Sequence, residues 1–445
     1  MGSRFLTPGS IVNLLVTNSR HSQAYTIIRA LRPYARKIVA TMYGETRLVA
    51  RLSPAANSRH VDRRYYVPSP AADWRAGRIG RDNTEREEAY VQTILAICER
   101  EEIDTIFPSW DPKVYVLAKN RARFEQHGIL LPIPDYEAVA TPLDKQKMVL
   151  AAERSGFPCP RTFLPQVESD LFEVARELGF PLVIKLRFTS GGKGLRVVQD
   201  LAGLREQWRL AVEHGTPPLV QEYIPGNNKQ LFFMVLDRGG DLKVGFCPRT
   251  LRLFLRIFRD SSGASASGPP HPYLPRAAQL AREIGWWGGV NVQTKIDPRD
   301  GRPKLMEVNP RLGHISWYLT ALGINVPLMC LKIARGEPVE PVRDYRVGTF
   351  LLSSVEDCQT LAFSTLDALC YQIRTRWLGK RPLDSLHPPP TLRELVGSYA
   401  QPYLGGQARA FDPFFHYFLD DPAPAVLWWL VYLSQVLQAT RHLGK

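Results

Sequence analysis

Cysteine is sparse and scattered in this chain. Its six thiols, Cys98, Cys159, Cys247, Cys330, Cys358 and Cys370, form no C-x-x-C pair. That argues against a zinc site or a disulfide framework and suits a reducing cytoplasm. The nine histidines make no metal-ligand spacing with them. No G-x-G-x-x-G turn is present, so a dinucleotide site is not expected, and G-x-x-x-x-G-K-[ST] is missing as well. Met1 to Ser10 holds one Arg and no long apolar run, so no secretory pattern is read there. The apolar run within residues 423–445 is broken by Ser434 and Gln435 and falls short of the roughly twenty residues a membrane span needs. Acidic residues are outnumbered, 43 against 57 Lys and Arg, for a formal charge of +14. No zinc finger, RNA-binding aromatic signature or long basic run turns that excess into a nucleic-acid site.

What is present suits a soluble α/β protein. At 445 residues and 44% apolar, the chain can bury sizeable cores in two or three domains. IVNLLVT (residues 11–17), KIVATM (residues 37–42) and DTIFPSW (residues 104–110) read as strands, with helical patterns between them. Alternation of that kind predicts a wound parallel sheet, whose ligands sit beyond the carboxyl ends of the strands. Asn18, Ser19, Trp110 and Asp111 fall at those ends, where helix capping is the plainer role. The arginine excess gathers in residues 20–81, 249–259 and 374–381. A solvated basic face is the plain reading of the first cluster.

GGVNVQTKIDPRDGRPKLMEVNPRLGH (residues 288–314) reads as two strands joined by a turn of Asp, Pro and Gly. Side chains alternate faces along a strand, so Asn291 and Gln293 share one side, as do Glu307 and Asn309. Gln293, Glu307 and Asn309 can converge as hard oxygen ligands for magnesium or manganese, and Arg311 follows with a guanidinium suited to phosphate oxygens. A polar surface hairpin is the alternative. Upstream, Asp144 is placed to cap a helix with Met148, Val149 and Ala152 facing inward, and Gly156 ends it. Lys185 interrupts the apolar strand PLVIKL, a costly position unless the ammonium meets an anion. The Gly-rich turn Thr189–Gly194 can bring backbone N–H groups to phosphate oxygens.

These segments, in this order, resemble the ATP-grasp superfamily. They are most similar to one synthetase half of the carbamoyl phosphate synthetase large subunit. The resemblance covers residues 10–338 and implies a pre-ATP-grasp α/β domain (1–133) and a two-lobed α+β ATP-grasp domain (134–338) with its lid lobe at about 160–225. A mainly helical extension (339–445) matches no motif. By resemblance, Gln293, Glu307 and Asn309 hold two magnesium or manganese ions. Lys145, Lys185, Ser190, Gly191, Gly192 and Gly194 meet the ATP phosphates, with Arg311 and Lys185 catalytic. Glu222, Tyr223 and Ile224 then meet the adenine edge through backbone groups. The acidic ribose contact of the family is absent; Lys229 stands there, and Gln230 is the substitute. Arg249 and Arg259, set among Leu251, Phe254 and Ile257, are candidates for an anionic acceptor.

The implied activity is ADP-forming ligation of a carboxylate to an amine through an acylphosphate, with small-molecule partners and no nucleic acid. Two alternatives stand beside it: a non-amine or lipid-linked acceptor, and a nucleotide-binding scaffold without turnover. A cytoplasmic protein is expected, with a homodimer allowed. The basic stretch 367–383 and residues 424–445 are open to contact with the inner face of a membrane or a partner protein, or to packing on the chain's own core.

Overall fold

A computed structural model describes residues 12–43, 47–70, 84–188, 194–213, 217–226, 228–253, 262–313, 315–352 and 420–430, together with Thr365 and Arg393. The chain falls into two compact units, one within residues 1–246 and 270–344, the other within 247–269 and 345–445.

The first unit begins with a parallel sheet of β1 (Val12–Val16), β2 (Ala35–Met42), β3 (Arg63–Tyr66) and β4 (Thr105–Phe107), in the order β3-β2-β1-β4. β1 has the near-continuous apolar run of a strand covered on both faces. Helix Thr84–Glu101 turns Tyr90, Val91 and Ile94 inward at helical spacing. All four strands deliver their carboxyl ends to one edge. There the turns are stitched by side chains: Ser109 Oγ donates to Thr17 O at 2.6 Å, and Ser19 Oγ to Thr41 O at 2.8 Å.

An antiparallel sheet follows, β5 (Thr162–Phe163), β6 (Leu182–Lys185), β7 (Leu195–Val198) and β8 (Leu219–Glu222), in the order β5-β8-β6-β7. Helices Asp170–Leu178 and Leu201–Glu213 pack Leu171, Val174, Leu204 and Trp208 against Leu182, Ile184 and Val220. Burying each aliphatic side chain of this kind contributes about 1.5–3 kcal/mol. At the base of the β6–β7 hairpin, Gly194 takes φ +69°, and a Cβ there would lie 2.4 Å from Leu186 Cδ1. Only glycine fits both the dihedral and the space.

The remaining strands of this unit are β9 (Lys229–Leu236), β10 (Leu242–Phe246), β13 (Gly288–Ile296) and β14 (Pro303–Asn309), paired antiparallel in the order β10-β9-β13-β14. Phe232 to Leu236 are fully buried, with helices Leu274–Glu283 and Val326–Ala334 against the strands. In the second unit, β11 (Pro248–Leu253) and β12 (Ser262–Ser267) pair antiparallel, and β15 (Phe350–Leu352) adds to β12. That last strand lies in the stretch expected to be mainly helical. Residues 422–430 are helical, with Trp428 buried and Leu430 exposed. The basic stretch 367–383 and residues 431–445 lie outside the described residues. Among the described residues no single helix is long and apolar enough to cross a membrane.

Candidate active site

The site is built on the β13–β14 hairpin. Asn291 pairs with Asn309 and Gln293 with Glu307 directly across the ladder. Because alternate residues share a face, the four polar side chains form one two-by-two patch. The register slips by one residue just beyond, where Thr294 opposes Leu305 and Met306 is left over. The patch is rich in oxygen and carries one carboxylate. Asn291 Oδ1 is buried with no hydrogen-bond partner, which a cation would supply. Among the described residues no three His, Cys, Asp or Glu side chains cluster as a metal cage. This donor set therefore fits a magnesium-type ion that keeps water and takes its other charge from a phosphate. Asn309 Oδ1 already accepts from Arg311 Nη2 at 3.1 Å, and its own Nδ2 has no partner.

Facing this patch is the amino end of helix Lys145–Arg154, which packs against β14. Asp144 caps the helix, accepting from Gln146 N at 3.0 Å and Lys147 N at 3.4 Å. The same carboxylate takes both arms of Arg187, Nε at 2.7 Å and Nη2 at 2.6 Å. Lys145 N also donates to Arg187 O at 3.2 Å. One acid thus ties the start of the helix to the end of β6, and so sets Lys145 beside Lys185. Burial pushes the Lys145 ammonium down to about 8; Glu307 and Asp144 raise it, and the neighbouring Lys185 lowers it further. Lys185 is 8% exposed. A single cleft is lined by Lys145, Lys185, Gln221, Glu307, Asn309 and Asp111. Its two lysines outweigh Glu307, since the Asp111 carboxylate is paired with Arg311, and suit the cleft to a multiply charged anion.

The other expected residues are placed as follows. Arg311 Nε donates to Asp111 Oδ1 at 2.5 Å, so its guanidinium is held by an acid at the end of β4 before any ligand arrives. The Glu222 carboxylate accepts from Arg161 N at 2.9 Å and Arg299 Nη2 at 2.8 Å. Lys295 Nζ donates to Ile224 O at 2.5 Å and lies 5.0 Å from the Tyr223 ring. Gln230 sits on β9 opposite Thr294 and turns its amide to Leu231 O at 2.8 Å. Arg249 is exposed on β11 of the second unit. Ser190, Gly191, Gly192 and Arg259 lie outside the described residues.

Sequence reasoning missed Lys113, in the first turn of helix Asp111–Lys119. It is fully buried, and its Nζ has no hydrogen-bond partner among the described residues. The ammonium rests 3.8 Å from the Tyr43 ring and 4.3 Å from Trp110, and burial pushes its pKa well below the usual lysine range. Its only sequence signal was a lysine inside the apolar run of DPKVYVLA. Asn18 and Trp110, at the ends of neighbouring strands β1 and β4, both take positive φ, 52° and 76°. Left-handed backbone at non-glycine residues is strained and gathers at functional sites.

Three family models match the chain in succession: the PylC-like N-terminal domain over residues 84–132, the carbamoyl-phosphate synthase L chain ATP-binding domain over 144–228, and an ATP-grasp domain from a biosynthetic pathway with the Ter operon over 270–353. The chain is 28% identical to the carbamoyl phosphate synthase large chain of Myxococcus xanthus over 199 residues, 42% of this chain and 18% of that one. With the Vibrio vulnificus large chain it shares 26% identity over 293 residues, 62% of this chain and 27% of that one. It therefore spans about a quarter or less of these curated relatives. Among solved structures, biotin carboxylase from Campylobacter jejuni superposes with a TM-score of 0.60 at 18% identity, over 77% of this chain and 75% of that one. The biotin carboxylase domain of Hydrogenobacter thermophilus 2-oxoglutarate carboxylase gives 0.59 at 18% identity, over 76% and 73%.

Proposed function

We propose that this chain, an ATP-grasp protein, uses ATP to activate a carboxylate as an acylphosphate and passes the acyl group to an amine. The observation that carries the reading is the cleft holding Lys145, Lys185, Glu307 and Asn309 together. Gln293, Glu307 and Asn309, joined by Asn291, would hold the divalent ions, which neutralise phosphate charge when bound. The residues of the chain do the rest. Lys145 and Lys185 stabilise charge on the transferring phosphoryl group in a cleft shielded from water. Arg311, aimed by Asp111, meets the same oxygens, and the hinge at Glu222–Ile224 seats the base through its backbone.

The test is ADP and phosphate release across a panel of carboxylates, bicarbonate included, and amines. Release that depends on one carboxylate–amine pair is expected, and Lys185→Ala should reduce it by about 10²–10³-fold. Tight ATP binding with no pair-stimulated release, and no hydroxamate when hydroxylamine is the amine, would sink the proposal.

Lys145 adds a pH signature. Phosphate favours the ammonium form, so its pKa rises from about 8 when ATP binds. Affinity is then full below about 8 and falls as pH climbs through that value, with proton uptake on binding. Calorimetry near pH 8.5 in buffers of different ionisation enthalpy should show that uptake, and Lys145→Met should lack it.

A further inference from the structure

The carboxyl edge of the parallel sheet carries a second cavity that the ligation chemistry does not use. Of about 560 Å³, it opens beyond the ends of β2 and β3 and is lined by Met42, Arg47, Arg51, Asn57, Arg64 and Tyr66, with Ala50. None of these is acidic. Among the described residues Arg47, Arg51 and Arg64 have no ion pair, unlike Arg32 at the other end of β2, which is paired with Asp62 at 2.7 Å. The walls are nonetheless ordered by contacts. Arg64 Nη1 donates to Asn57 Oδ1 at 2.5 Å, Asn57 Nδ2 donates to Arg51 O at 2.8 Å and Ser53 O at 2.9 Å, and the Arg47 guanidinium stacks 5.9 Å from the Tyr66 ring. Three guanidiniums around one concavity, with no carboxylate among its described lining residues, concentrate positive potential and offer forked donors.

This cavity and the cleft lie along the same edge of the sheet. Along the edge the strand ends succeed one another in the sheet order: Tyr66 at the end of β3, Tyr43 after β2, Asn18 after β1, Trp110 and Asp111 after β4. Asp111 then holds Arg311 and lines the cleft. Three strand spacings separate the first from the last, about 14 Å. Midway, Asn18 is 1% exposed, and neither atom of its side-chain amide has a partner among the described residues. A buried amide with nothing to bond costs stability unless a ligand or water completes it.

We infer that one of the two ligation substrates is elongated and anionic. It places a phosphate or carboxylate group among Arg47, Arg51 and Arg64, about 14 Å from its reacting end beside Arg311, and its polar middle meets Asn18. The inference rests on the ligase reading and specifies the substrate class for it.

The experiment titrates the full chain, saturated with MgADP so that the cleft is filled, with inorganic phosphate and separately with tricarballylate at constant ionic strength. Binding of one probe is expected, phosphate marking a phosphorylated substrate and tricarballylate a carboxylated one. In Arg51→Gln/Arg64→Gln its Kd should rise about tenfold or more, as expected for losing charged hydrogen bonds. Arg51→Lys/Arg64→Lys should fall between, since charge remains without the fork. The MgADP Kd should not change in either variant. Binding of neither probe, or equal binding by wild type and the Gln variant, overturns the inference. Loss of MgADP binding in the wild type would instead overturn the ligase reading.

Discussion

Glu307→Gln is expected to reduce ADP formation about a thousandfold while leaving the fold intact. The substitution keeps size and hydrogen-bonding capacity, so the pairing of residues 293 and 307 across the ladder should survive. What it removes is the one negative charge of the four-residue patch. Neutral oxygens alone hold a hard divalent ion poorly, and no second carboxylate cluster among the described residues can replace it. A second loss compounds the first. Glu307 is the leading influence that raises the Lys145 pKa, so without it the lysine shifts further towards the neutral amine. The check is ADP release against magnesium concentration, with circular dichroism confirming the fold. Activity within tenfold of wild type at ordinary magnesium would mean that the ion is held elsewhere.

Asp111→Ala should cost about 3 kcal/mol of stability, the lower part of the range for breaking a buried ion pair, because Arg311 keeps some contact with solvent. The side chains are 4% and 17% exposed, and they join residues 200 positions apart in the chain. Removing the acid leaves the guanidinium largely buried, with Asn309 Oδ1 as its remaining side-chain partner among the described residues. Arg311→Ala should cost at least as much, because it strands the more deeply buried partner, Asp111, as an unpaired carboxylate. The double variant should be more stable than the sum of the single losses predicts. Urea midpoints for the four proteins of this cycle measure the coupling. Additive losses would mean that the pair contributes orientation without stability.

The local parts of the site were legible in the sequence because each rests on a short-range rule. Strand alternation set Asn291 with Gln293 and Glu307 with Asn309, and let Gln293, Glu307 and Asn309 converge. A capping acid before a helix identified Asp144, and a lysine inside an apolar strand identified Lys185. The missed features depend on distance along the chain. Nothing around Asp111 indicates that its partner is Arg311, nor does anything near Asp144 point to Arg187. The leftover Met306 that breaks the register is equally invisible, because a ladder slip depends on both strands at once. Ile224 was expected to offer its peptide groups to a base. Its carbonyl also receives Lys295 from the neighbouring sheet, a contact no local pattern encodes. The tip of the β6–β7 hairpin and Arg259 remain expectations from sequence.

Lys113 bears on how far this protein stands from its stability ceiling. An ammonium sealed under two aromatic rings, with no oxygen to bond, is harder to house than a methionine of similar length. Proteins commonly carry such liabilities where activity needs a strained or poorly satisfied group, and thermostabilised variants often arise by removing them. Position 113 therefore holds a reserve of robustness that the native chain leaves unspent. An engineer seeking a hardier scaffold would begin there, and one seeking to keep the native activity would leave it until last.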